Sequence, residues 1–288
     1  AAQAIAPNFT TDPGTNYDFY AWHEATNTWV NYKNTTSSPT WNETNGGLNF
    51  VPGRGYLVEY AATSTKQFSG TLNKDDVPVS GLITSSGTNR GWHLLGNPFS
   101  SALTWNNGNW ALTNINGSAK IWDEAAASYA DIAPNGIIPA LNGFMVQAEG
   151  GTGSLTIPAS ARVHSANSWY KSGEISSIVL TASDAVGQTS QESVIRFNNT
   201  ATTGYDRDFD SRFIPGYAPQ FYSVAGSEQL STNALPASGG SVQIPFSFIP
   251  NGQTNFSIVA KTITDVYGPV ILKDLKTGAS IHVSALTL

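Results

Sequence analysis

Along this chain apolar residues come in short runs or alternate with polar ones, and turn residues close each run. The last stretch shows the alternation plainly: Ile281, Val283 and Ala285 are separated by His282 and Ser284, the pattern of a strand buried on one face. The alternation then slips, because Leu286 and Leu288 fall on the polar side. That strand therefore ends near Ala285 or is covered on both faces beyond it. Similar runs predict strands at 55–60, 69–72, 92–95, 143–148, 154–157, 175–182, 193–197, 221–224, 242–248, 255–260 and 270–272. Long helices need runs of Ala, Leu, Glu and Lys, and none occurs. The expected fold class is all-β, built from antiparallel sheets.

One pattern occurs twice. Residues 20–32 read YAWHEATNTWVNY, and residues 120–132, one hundred positions on, read KIWDEAAASYADI. Trp122 answers Trp22, Glu124 answers Glu24, Ala125 answers Ala25 and Tyr129 answers Trp29. Each copy is followed by a second matched piece: GYLVE then SGTL in the first, GFMVQ then GSLTI in the second. Two matched pieces in the same order indicate an internal duplication. Its unit is a β-hairpin in which an aromatic on the return strand faces one on the outgoing strand. The duplicated antiparallel β domain is expected over residues 1–165. After the polar stretch 165–173, an Ig-like or jelly-roll-type β-sandwich is expected over residues 166–288.

Composition sharpens this picture. Charged residues are only 12% of the 288, while 40% are hydrophobic, with 8 Trp, 11 Tyr and 13 Phe. That is core enough for two domains without staples. Cysteine is absent, which excludes thiolate metal sites, cysteine nucleophiles and disulfides. The net charge of −6 divides as −4 over residues 1–165 and −2 over 166–288, so neither half carries a basic patch for nucleic acid or anionic membrane. No run reaches the ~20 apolar residues of a membrane helix.

Three groups of residues are candidates for chemistry. Trp41 in WNETNGG, and Trp105 and Trp110 with Asn106 and Asn107 in WNNGNW, combine indole faces with amide side chains, as a saccharide-binding surface requires. The competing reading of each indole is core packing, and Trp22, Trp92 and Trp122, in strand patterns, are assigned to the core. Asp206, Asp208 and Asp210 alternate as oxygen ligands of a hard cation do, so a Ca²⁺ loop is one reading and a solvated turn paired with Arg207 and Arg212 the other. An EF-hand is rejected because Ser211 stands where that motif needs Gly and Tyr217 where it needs Glu. The histidines His23, His93, His164 and His282 fit no catalytic spacing. The acid pairs Asp75-Asp76 and Asp123-Glu124 point opposite ways along a strand. A non-catalytic protein is expected, with a carbohydrate-active enzyme using such paired carboxylates as the lesser alternative.

The strings GWHLLGNPFSSALTW, IWDEAAASY, IPALNGFMVQA and LTIPASARVHS resemble a module common in secreted and cell-surface proteins of Bacteroidetes. IRFNNTATTGYDRDFD, QFYSV, LSTNALP, VQIPFSF and ILKDLKTG resemble the β-sandwich that often follows it, upstream of a type IX secretion sorting segment. The resemblance spans roughly residues 50–280. It implies export and a place outside the cell or on its surface, and it accompanies enzymes, adhesins and other proteins alike. The expected function is an extracellular binding or adhesion module for polysaccharide or a cell-surface partner. The alternative is a structural filament or spacer subunit. Relatives carry a strand before the first hairpin copy and further strands after their DLKTG segment. The chain is accordingly expected to be an excised piece of a longer protein, or a subunit that self-associates by strand addition along the edge from Ile281 to Leu288.

Overall fold

The computed structural model describes residues 3–11, 18–62, 65–87, 90–124, 126–165, 176–184, 189–237, 240–266 and 268–283. Among these the fold is almost entirely β, with one short α-helix, Trp41–Asn45, and two single-turn 3₁₀ segments. No helix among them is long and apolar enough to cross a membrane. The chain divides into two compact units: Ala1–Ala119 with Ile132–Lys171, and Lys120–Asp131 with Ser172–Leu288. The expected boundary at 165/166 adjoins residues 166–175, which lie outside the described residues, while the second hairpin, expected in the first domain, falls in the second unit. The reason is chemical and lies in its buried polar anchor, described below.

In the first unit the hairpin Asp18–His23/Thr28–Asn31 adds Leu57–Glu59 on its outer side. Trp92–Gly96 pairs with Gly143–Gln147, and Gly153–Ile157 lies between Val77–Leu82 and Ala111–Thr113. Ile5, Phe9, Phe19, Ala21 and Trp41 form one core cluster, with Phe50 and Tyr56 packed against it. The helix Trp41–Asn45 was not foreseen, since its five residues lie in an Asn-rich loop. It is fixed by a capping box in which Thr40 accepts from the Glu43 amide and the Glu43 carboxylate accepts from the Thr40 amide. The predicted strand at 69–72 does not form. Its Leu72 is 71% exposed, so the second matched piece of the duplication is a strand only in its later copy, Gly153–Ile157.

The second unit is a seven-stranded, curled half-barrel. Its order is Phe246–Ile249, Gln220–Ala225, Glu228–Leu235, Ser190–Phe197, Ser177–Asp184, Phe256–Thr264, with Ser211–Arg212 also pairing Glu228–Leu235. All pairs are antiparallel except Ser190–Phe197 with Glu228–Leu235, which is parallel. Alternate residues Ile178, Leu180 and Ala182 enter a core shared with Ile195, Phe221, Leu235 and Ala260. Phe248 meets Phe256 edge to face at 4.9 Å, which draws the two edge strands together. The two-stranded sheet Val270–Lys273/Ser280–Val283 presents Val270 and Val283 to the same core. Of the edge from Ile281 to Leu288, residues 284–288 lie outside the described residues, Leu286 and Leu288 among them.

Glu228–Leu235 was not predicted because its buried stretch, Ser231-Thr232-Asn233, is polar and has no apolar alternation. The strand expected over 242–248 is confined to Phe246–Ile249.

Candidate functional site

The second hairpin pairs Ala119–Asp123 with Ser128–Ile132. Its aromatics meet as the duplication requires: Trp122 and Tyr129 lie edge to face at 5.0 Å, and Trp22 and Trp29 of the first hairpin do so at 5.1 Å. Equivalent turn residues also share a left-handed backbone, Asn27 at φ 55° and Ala127 at φ 52°. Asparagine tolerates that region, whereas alanine is held there against a cost of roughly 1 kcal/mol. In the second turn the Ala127 carbonyl accepts from the amides of Tyr217 and Ala218, at 3.1 and 3.3 Å, and the Ala126 carbonyl from that of Ser190 at 2.9 Å.

Beneath the turn sits a buried ion pair. The Lys120 side chain is wholly buried, and its ammonium donates to Asp131 Oδ1 and to Ser231 Oγ at 2.6 Å. Asp131 also accepts from Ser211 Oγ at 3.0 Å, Ser231 Oγ at 2.9 Å and Thr232 Oγ1. Burial pushes the Asp131 carboxyl upward, but the Lys120 charge and the hydroxyl donors outweigh it and hold it below the usual carboxylate range. Burial pulls Lys120 down, with Asp131 opposing. Lys120 and Asp131 come from the hairpin and the three hydroxyls from the half-barrel, so a charge pair that could not stand unpaired fixes one to the other.

Above this anchor the aromatics form a face. Tyr217 is 79% exposed and sits perpendicular to Trp122, with centroids 6.1 Å apart and planes at 90°. The Trp122 indole N–H donates to Glu124 Oε2 at 2.7 Å, which keeps an exposed carboxylate beside the rings. Asn251 Nδ2 donates to the Tyr217 carbonyl at 3.1 Å and to Thr189 Oγ1 at 3.0 Å. Close approach is permitted by Gly216, where a Cβ would stand 2.6 Å from the Ala127 carbonyl oxygen. Burial, then the neighbouring Tyr217, pushes the Tyr129 phenol up to about 12, so it keeps its proton.

The sequence-predicted residues lie elsewhere. Trp41 is 1% exposed, packs between Tyr32 and Tyr56, and donates to the Gly47 carbonyl. Trp105 is 0% and Trp110 7% exposed; they meet edge to face at 4.7 Å and donate to the carbonyls of Gly117 and Thr104. Asn106 turns with φ 41°, and Asn107 Oδ1 accepts from the Asn109 amide. The expectation that these indoles are exposed is therefore corrected: Trp105 and Trp110 bury against each other and Phe144 across their turn, and Trp41, opening a short helix, packs on Phe19, Tyr32 and Tyr56. Of the three tryptophans assigned to the core, Trp92 is buried, while Trp22 and Trp122 are half-buried instead.

Asp206, Asp208 and Asp210 do not converge. Asp210 is fully buried and accepts from the amides of Ala234 and Asp206, both at 2.6 Å, while Asp206 accepts from the Thr202 amide and Asp208 is exposed. Arg212 forms a two-pronged bond with Glu228 and lies over the Tyr205 ring. Among the described residues no group of three potential metal ligands comes together. One acid of each pair is bonded to backbone: Asp76 accepts from the Ala159 amide, 83 residues on, and Asp123 from that of Ala126 within its own turn.

Tyr217 was missed as a site residue. Its signal is the local string Pro-Gly-Tyr-Ala-Pro, where no strand is available to bury the ring. No family model matches the chain, and no curated protein or solved structure matches it significantly.

Proposed function

We propose that the protein is a non-catalytic extracellular binding module for polysaccharide, with the sugar resting on Tyr217 and Trp122. The observation that carries this reading is Tyr217, a ring 79% exposed that lies perpendicular to Trp122 with centroids 6.1 Å apart. Sugar C–H faces pack on such rings, while side chains like Glu124 take hydroxyl hydrogen bonds. The resemblance to secreted surface modules supports the extracellular setting. A glycan array probed with the wild type and Tyr217→Ala tests it: the reading expects signal on polysaccharide that the substitution removes.

A second reading, a structural subunit joined by strand addition, is favoured by Ile281, which is 64% exposed on the outer strand of a two-stranded sheet. It expects no glycan signal and sedimentation that rises with concentration.

A further inference from the structure

The form of polysaccharide follows from how the rings are set, granted the reading of Tyr217 and Trp122 as a sugar platform, on which this inference rests. Ordered polysaccharide surfaces are flat and need aromatic rings in one plane. Here the Trp122 and Tyr217 planes stand at 90° and those of Trp122 and Tyr129 at 72°. Two rings in perpendicular contact share no plane and cannot lie together along a flat face, whereas the exposed Tyr217 ring by itself matches the size of one pyranose. Charge narrows the class further. The Glu124 carboxylate, bonded to the Trp122 indole and exposed to solvent, accepts hydroxyl donors and repels uronate or sulfate groups within a Debye length of about 8 Å.

We infer that this face binds neutral, hydrated polysaccharide one sugar ring at a time, and neither crystalline surfaces nor polyanions. The test is affinity electrophoresis in gels containing hydroxyethylcellulose, dextran, amylopectin or alginate, with pull-down on microcrystalline cellulose and chitin. Wild type and Tyr217→Ala are compared after their melting curves are matched. Retardation is expected in at least one neutral gel, weakened about tenfold by Tyr217→Ala, the loss of roughly 1.4 kcal/mol of aromatic contact. Capture on cellulose or chitin, or retardation by alginate, that depends on Tyr217 would overturn the inference while leaving the sugar platform in place. Absence of binding to every probe, or binding unaltered by Tyr217→Ala, would overturn both.

Discussion

Removing one member of the Lys120–Asp131 pair exposes how the second hairpin is held. Asp131→Ala removes the carboxylate that neutralises a wholly buried ammonium. Leaving such a charge unpaired costs about 3–5 kcal/mol. Lys120→Met is milder, because the remaining carboxylate still accepts from Ser211, Ser231 and Thr232. Hydrogen bonds to a charged group contribute about 1.5–3 kcal/mol each, so roughly 1.5–3 kcal/mol is expected for the lysine variant, which loses the bond to Asp131. Replacing both, Lys120→Met with Asp131→Leu, removes the buried charges together and recovers most of the loss. Urea denaturation of the four proteins, followed by tryptophan fluorescence and circular dichroism, yields the cycle. Single costs below about 1 kcal/mol, or a double mutant that is simply additive, would refute the account of the pair as an anchor.

Three further outcomes are expected. Burial pushes Asp210 from 3.8 up to about 6, partly opposed by the amides of Ala234 and Asp206. A raised folded value stabilises below the unfolded value, and that contribution, ~3 kcal/mol at about 1.36 per unit, is lost as pH rises through about 6. Carboxyl carbon NMR should show this residue titrating near 6, and a midpoint near 4 contradicts the assignment. Glu24→Ala should cost about 2–4 kcal/mol in chemical denaturation, since one buried oxygen accepts from the Ser85 amide, Ser85 Oγ and the Gly91 amide. Its counterpart Glu124→Ala should cost under about 0.5 kcal/mol, being exposed; equal costs would show that the two hairpins use this position alike. Trp105→Ala should lose about 3–5 kcal/mol by the same assay. A folded variant of native stability would return Trp105 to the surface.

The hairpin duplication was legible because its determinants are local: an aromatic pair across two strands and a turn at a fixed offset. The all-β class was legible for the same reason. The site was not, because exposure is a tertiary property. Trp41, Trp105 and Trp110 stand in the same Asn-rich strings whether their rings point in or out, and only neighbours such as Phe19 and Phe144 decide it. The alternating aspartates misled in the same way, since Asp210 is claimed by the Ala234 amide from a strand 24 residues away. That strand carried no signal of its own, because its buried hydroxyls serve Asp131. Placing the second hairpin in the second unit likewise required knowing that Lys120 finds Ser231, 111 residues on.

The sugar platform is tested most directly by the tryptophan indole N–H resonances in a nitrogen–proton correlation spectrum, titrated with a soluble neutral polysaccharide that retards the protein in gels. The chain has 8 Trp. The indole resonance of Trp122 should shift and saturate, while those of Trp41, Trp105 and Trp110, already bonded to backbone carbonyls in the core, stay in place. Shifts at Trp41, Trp105 or Trp110 with Trp122 unmoved would contradict a platform built on Tyr217 and Trp122.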